Sequence, residues 1–256
     1  GKKAKDWMGM SILYDEGQQA IATESRRVLE ARMNKDELLP LLEMTGRYHE
    51  GFWNTAKEQG WTALALPEEY GGLALGLVEL GLIAHQAGRT LSGAPFLTSG
   101  FGCAKAIELY GSDEQKMRWL PGLASGEIVG VVAFASGSDP LPTYPAIRFA
   151  DGRISGRATG VTGGLVADIA VVYAMGSLGP VLVVAELSEV ERSAIGGFDN
   201  SRCYAHLGFT DIPAQPLAID GAAREAALHI LSLQAVITAH EQTGGAEAMM
   251  EIARDY

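Results

Sequence analysis

Hydroxyl groups beside glycines are the first places in this sequence where residue type and spacing could do chemistry. Ser136 and Ser138 flank Gly137, and Thr162 follows Gly160-Val161. Such hydroxyls can hydrogen-bond the oxygens or phosphates of a bound molecule, or bond their own backbone in turns. The five histidines (His49, His85, His206, His229 and His240) show no metal-binding spacing. His85 falls in an apolar stretch and reads as a satisfied core histidine. The two cysteines, Cys103 and Cys203, form no CxxC pair. Neither a zinc ribbon nor a disulfide framework is indicated, and both read as buried small apolar residues. Gly163-Gly164 and Gly244-Gly245 lack the context of a phosphate loop.

The 256 residues suggest one large domain or two modest ones. At 47% hydrophobic residues the chain is not wholly disordered. Lysine and arginine number 20 against 31 acids, for a net charge of −11. A nucleic-acid binder needs a basic face, and only Lys2, Lys3 and Lys5 cluster. No basic segment followed by an apolar core opens the sequence, which argues against a secretory signal. The longest apolar stretch, 161–187, is broken by Asp168 and several glycines and does not read as a membrane span. The expectation is a soluble, reduced, cytoplasmic protein.

Three regions differ in pattern, with expected domains at 1–125, 126–220 and 221–256. The first is helical and holds Trp7, Trp53, Trp61 and Trp119. Asp15 can cap a helix whose apolar stripe includes Ile21, Val28 and Leu29. Phe52, Trp53 and Ala56 make a short helix stopped by Gly60. Residues 77–87 repeat apolar side chains at helical spacing. Ser112 with Gln115 is a capping box, and Pro121-Gly122 interrupts or ends that helix. In the second region 128–134 is β-prone, and Asp151-Gly152 makes a tight turn between strands at 146–149 and 153–156. Residues 169–173 and 181–185 are apolar strands with Gly179-Pro180 between them, and 204–209 is a further candidate. Gly-rich turns between short strands predict a sandwich or small barrel. Residues 222–241 are apolar on nearly every side, so that helix must be enclosed by others. A second helix is expected from near Gly245 into Tyr256, with a longer natural chain or a partner supplying the surface that a bundle needs. The fold class is α+β.

Several of these segments, in this order, resemble the acyl-CoA dehydrogenase family. They are Gly60-Trp61, Pro67-Glu68-Glu69-Tyr70-Gly71-Gly72, Gly111-Ser112-Asp113-Glu114-Gln115-Lys116, Leu120-Pro121 and Gly126-Glu127. Asp151-Gly152 before Ile154-Ser155-Gly156, and Ala167-Asp168 before a strand, continue the likeness. Asp199 and Arg202, then Phe209 and Asp211, look like the end of the family's middle domain. The resemblance covers residues 11–256. It implies a helical N-terminal domain, a β middle domain and a helical C-terminal domain, with FAD between the last two. It also implies dimers or tetramers and α,β-dehydrogenation of a CoA thioester. In that reaction a carboxylate removes the α-proton, the β-hydride passes to the flavin, and an electron-transferring flavoprotein takes the electrons.

The resemblance assigns cofactor contact to Phe134, Ala135, Ser136, Ser138 and Thr162. There the sequence departs from the family. Residues 133–140 replace Ala-x-Thr-Glu-Pro-x-x-Gly-Ser-Asp, with Ala135 in place of the flavin-facing Thr or with residues deleted. Gly160-Val161-Thr162 keeps the Thr of Trp-x-Thr and loses its ring. One of the family's two places for the base falls at about Gln234, whose amide cannot take a proton at neutral pH. Glu225 and Glu241 lie off that register and read as solvated or capping carboxylates. No catalytic residue is assigned. Arg202 is expected to pair with Asp199, and 67–72 to be a structural turn.

Three readings follow: an FAD-dependent acyl-CoA dehydrogenase, a non-catalytic, flavin-poor subunit of a heteromeric one, or a redox-inactive acyl-CoA-binding scaffold. Gly88-Arg89-Thr90-Leu91 with Pro95-Phe96-Leu97 resembles a short bacterial subgroup that pairs a degenerate chain with an intact one in sterol breakdown. The implied partners are an acyl-CoA, an electron-transferring flavoprotein, and a homo- or hetero-oligomeric companion chain.

Overall fold

A computed structural model describes residues 14–33, 35–91, 97, 100–198, 200–217 and 221–256. Trp7, Pro95, Phe96 and Asp199 therefore lie outside the described residues. Among the described residues six α-helices precede the sheet: α1 (Glu16–Arg32), α2 (Lys35–Glu43), α3 (Glu50–Glu58), α4 (Leu77–Arg89), α5 (Phe101–Tyr110) and α6 (Asp113–Ser125). Their ends follow local chemistry. Asp15 accepts the Gln18 N–H at 2.8 Å while the Gln18 side chain accepts the Asp15 N–H at 3.2 Å. Ser112 and Gln115 make the same reciprocal pair on α6. Pro121 does not end α6, which runs one turn further to Gly126 at φ 71°. Gly122 lets the following chain close on the helix, since a Cβ there would fall 2.4 Å from Ile128 Cδ1.

Helix α3 has an unusual cap. His49 is buried, and its Nδ1 accepts the Phe52 N–H at 2.7 Å. Nδ1 must be unprotonated to do this. Burial lowers the His49 pKa below its ordinary 6.5, against the opposing pull of Glu37 at 3.6 Å. A depressed folded pKa gives stability that is present above pH ~6.5 and lost as pH falls through the folded value. We expect the unfolding midpoint to drop between pH 7 and 5, and the drop to shrink in His49→Asn, which caps without titrating. An unchanged pH profile in that variant would remove His49 as the cause.

Among the described residues seven strands follow: β1 (Gly130–Ala133), β2 (Arg148–Ala150), β3 (Arg153–Val161), β4 (Ile169–Gly176), β5 (Gly179–Glu186), β6 (Glu191–Ala194) and β7 (Ala205–Pro216). Strands β4, β2, β3, β7 and β5 pair in turn, and β5 returns to β4, which closes a small barrel. Strand β1 adds parallel to β4, and β6 adds to β7. Asp151 and Gly152 turn the β2–β3 hairpin with φ of 51° and 72°, as a tight mirror-image turn requires. Gly179-Pro180 does not separate β4 from β5. It lies within β5, Pro180 opposite Met175, and Ser177-Leu178 makes the turn. Strand β7 runs seven residues past the expected end at 209 because β3, β6 and β5 each pair with part of it.

The apolar run of β4 is explained by burial on both faces. Ala170, Val172 and Ala174 join one core with Ile154, Ala158, Val183 and Leu207. Ile169, Val171 and Tyr173 join a second with Ile107 and Leu120 of α5 and α6 and with Ala226 and Ile230 of the last helix.

That last helix, α7 (Ala223–Asp255), is continuous. Gly244-Gly245 does not divide it, so the expected second helix is the same one. The glycines serve packing. A Cβ on Gly244 would fall 1.8 Å from the His85 carbonyl oxygen, and one on Gly88 would fall 1.9 Å from that of Glu241. Helices α4 and α7 thus meet backbone to backbone, running in the same sense from Gly81–His240 to Arg89–Glu251. Among the described residues α7 is covered on one side only. Leu228, Val236, Met249, Met250 and Ile252 are exposed, contrary to the expected full enclosure.

Candidate functional site

A cleft of about 590 Å³ opens where the barrel faces α7 and the end of α4. Its barrel wall is Val132, Phe134, Ala135 and Pro140, with Thr159, Gly160, Val161 and Thr162 from the end of β3. Helix α7 supplies Leu231, Gln234, Thr238, Glu241, Gln242 and Gly245, one face at helical spacing. Gly88 and Leu91 close one end, beside Arg202 and Tyr204. The volume suits a small-molecule ligand, and apolar walls with a few polar groups are the usual composition.

Phe134 is buried and packs edge-on to Tyr173, with ring centroids 6.3 Å apart. The next residues form a tight loop. Ser136 and Asp139 exchange backbone hydrogen bonds at 3.0 and 3.2 Å. Thr159 ties this loop to β3: its N–H donates to Ala135 O at 3.3 Å and its hydroxyl to Gly137 O at 2.9 Å. Of the five residues expected to contact a cofactor, Phe134, Ala135 and Thr162 line the cleft. Ser136 and Ser138 do not; the Ser136 hydroxyl accepts the Ala146 N–H at 3.4 Å, and Ser138 is exposed. Gly160 sits at φ 63°, and a Cβ there would meet nothing within 4 Å. It lines the cleft together with Ala135 and Thr162.

Gln234 faces the cleft, 9% exposed and packed against Gly102 of α5. Glu241, two turns further on, is neither solvated nor a cap. It is 7% exposed, lines the cleft and forms an ion pair with Arg202. Arg202 is thus paired with Glu241, brought from α7, and the expected pairing with Asp199 lies outside the described residues. Glu225 is exposed, outside the cleft. Among the described residues Glu241 is the one carboxylate in the lining, and its charge is already matched.

The other titratable groups serve packing. His85 is half-buried and is satisfied by Glu247 at 2.6 Å. Burial, then the charge of His85, lowers the pKa of His240. Burial pushes the Cys103 thiol up to about 12 and that of Cys203 to about 11, so both stay protonated at neutral pH. No group of three metal-ligating side chains occurs among the described residues. Nor is any described helix long and apolar enough to cross a membrane.

Residues 15–127 match the acyl-CoA dehydrogenase N-terminal domain. The likeness to the acyl-CoA dehydrogenase family is thus carried by this N-terminal stretch of the chain. Acyl-CoA dehydrogenase FadE28 of Mycobacterium tuberculosis is 38% identical over 110 residues, which are 43% of this chain and 32% of that protein. Mitochondrial isovaleryl-CoA dehydrogenase of Pongo abelii is 26% identical over 210 residues, 76% of this chain and 49% of that one. A variant of the Tcur3481–Tcur3483 steroid ACAD superposes at a TM-score of 0.81 with 25% identity, over 94% of this chain and 66% of that one. Glutaryl-CoA dehydrogenase from Mycobacterium smegmatis shares the fold at a TM-score of 0.84 and 23% identity, over 98% of this chain and 68% of that one. The matched segments thus span about a third to a half of these curated acyl-CoA dehydrogenases.

The sequence reading passed over Thr159, Arg202, Leu231, Thr238 and Glu241 as cleft residues. Those on α7 had a readable signal, since Leu231, Gln234, Thr238, Glu241 and Gly245 recur at the helical period. Arg202 had none, because only the tertiary fold brings it to α7.

Proposed function

We propose that this chain works within an FAD-dependent acyl-CoA dehydrogenase that desaturates a CoA thioester between its α and β carbons. The observation that carries this is the cleft between the barrel loops and α7. Ala135, Gly160 and Thr162 line it and would take the face of a flat ring, and Phe134 packs behind them against Tyr173. FAD bound there would supply the hydride acceptor, with an electron-transferring flavoprotein as the onward electron carrier. Thr162 and the backbone of the Ala135 loop would hold its ring. Leu231 and Thr238 on α7 would cover the opposite side and exclude water.

A second reading, the non-catalytic subunit of a heteromeric enzyme, is favoured by one feature. Gln234 is an amide, and Glu241 is held by Arg202, so the described lining offers no unpaired carboxylate to take a proton. The heteromeric steroid ACAD and the ChsE4–ChsE5 complex of Mycobacterium tuberculosis, which share this fold, support a companion chain.

The test is the visible absorption spectrum of the full-length protein, purified with FAD, alone and then with a companion dehydrogenase chain. A flavin band in the chain alone is the result expected for a self-sufficient site. A band only with the companion selects the subunit reading. No band in either preparation overturns the FAD assignment.

A further inference from the structure

We infer that Thr159 is a positioning residue, whose hydroxyl sets the shape of the 135–139 loop with which this chain meets the flavin. This rests on the FAD reading and adds to it a residue on which cofactor affinity turns. Phe134, Ala135 and Pro140 are the residues of this segment that line the cleft, and none carries a polar side-chain atom. The segment can therefore meet a ligand's polar atoms through its backbone alone. A backbone does that well only when its conformation is fixed beforehand. Gly137 stands at φ 61°, a Cβ there would meet nothing within 4 Å, and residues 137–139 are exposed. The Ser136–Asp139 exchange and the Asp139 carboxylate, which accepts the Leu141 N–H at 3.0 Å, are bonds within the turn. Among the described residues three hydrogen bonds reach beyond it. The Ser136 hydroxyl accepts the Ala146 N–H at 3.4 Å, and the Ala135 carbonyl accepts the Thr159 N–H at 3.3 Å, both long for hydrogen bonds. The third runs from the Thr159 hydroxyl to the Gly137 carbonyl and is 2.9 Å. It is the short one, and it holds the loop at its glycine, where the backbone is freest. Thr159 lies on β3 just before Gly160 and Thr162, which line the same cleft. Its hydroxyl thus fixes the loop against the strand that supplies the rest of that wall.

The inference is tested by calorimetric titration with FAD of the full-length protein freed of flavin, in the preparation (alone or with its companion chain) that shows the flavin band. Thr159→Val keeps the outline of the side chain and removes the hydroxyl. Loss of that hydrogen bond should leave the loop in its binding shape about a fifth of the time, so apparent affinity falls about fivefold. Thr159→Ser returns the hydroxyl and should bind within about twofold of the parent. Gly137→Ala lies outside the lining, strains the same left-handed turn and should also weaken FAD several-fold. Gly152→Ala is the control, since it strains a glycine at φ 72° in the β2–β3 turn, outside the cleft, and should lose stability with FAD affinity unchanged. Parent-like binding by Thr159→Val or Gly137→Ala would overturn the inference and leave the FAD reading intact. So would a Thr159→Ser as weak as Thr159→Val, or an equal loss in Gly152→Ala, which would trace the effect to stability. A parent that binds no FAD in either preparation ends the FAD reading, and this inference with it.

Discussion

Gly244→Ala will destabilise the protein by about 2 kcal/mol, although alanine is the better helix former. In an exposed helix interior that exchange gains ~1 kcal/mol. Here the new Cβ would stand 1.8 Å from the carbonyl oxygen of His85 and 2.7 Å from its carbon. Those are backbone atoms of a helix whose Leu80, Ile83, Ala84 and Ala87 are buried, so they cannot step aside as a side-chain tip would. Helix α7 must instead lift away from α4, loosening the Gly88–Glu241 contact and the Arg89–Glu251 pair together. Overpacking of rigid cores costs 1–3 kcal/mol and sometimes more, which outweighs the propensity gain. Gly245→Ala is the internal control. Its nearest atom, the Gly88 oxygen, is 3.4 Å away, so that variant should be neutral or slightly stabilised. Denaturant midpoints of the two variants decide the matter. Equal midpoints would mean that the helices do not meet at Gly244.

The same glycine pair shows where a sequence stops being readable. Asp15, Gln18, Ser112 and Gln115 interact within three residues, so the starts of α1 and α6 are legible from local chemistry. Asp151-Gly152 is legible for the same reason. Gly244-Gly245 carries two meanings, a helix break or a close helix crossing, and only α4 chooses between them. Pro180 likewise suggests a turn, yet it sits in β5 across from Met175. In the cleft, Phe134, Ala135 and Thr162 were reached through likeness of segment. Ser136 and Ser138 lie outside the lining, on the tight loop whose Ser136 hydroxyl accepts from Ala146 and whose Gly137 carbonyl accepts from Thr159. Nothing within 30 residues of Arg202 announces Glu241, 39 positions away.

That long-range pair carries the other large effect. Arg202→Met should cost about 3 kcal/mol, near the lower end of the 3–5 kcal/mol for breaking a buried ion pair from one side. The lower end applies because the arginine side chain is 22% exposed, whereas that of Glu241 is 8% exposed and would remain as a lone buried carboxylate. Burial without a counter-charge raises the pKa of such a group. The sign of the pH dependence follows. A carboxyl whose folded pKa lies above its unfolded value costs nothing below the unfolded value, and costs progressively more as pH rises past it. The defect of Arg202→Met should therefore grow from pH 4 to pH 7 and nearly vanish in acid. Combining it with Glu241→Leu should recover most of the loss, because no buried charge is then left unpaired. A loss below ~1 kcal/mol in the single variant, flat with pH, would show that water already solvates the pair, as at an exposed ion pair. Arg202 stands on the segment before β7 and Glu241 on α7, so the cycle also measures how tightly the two walls of the cleft are held together.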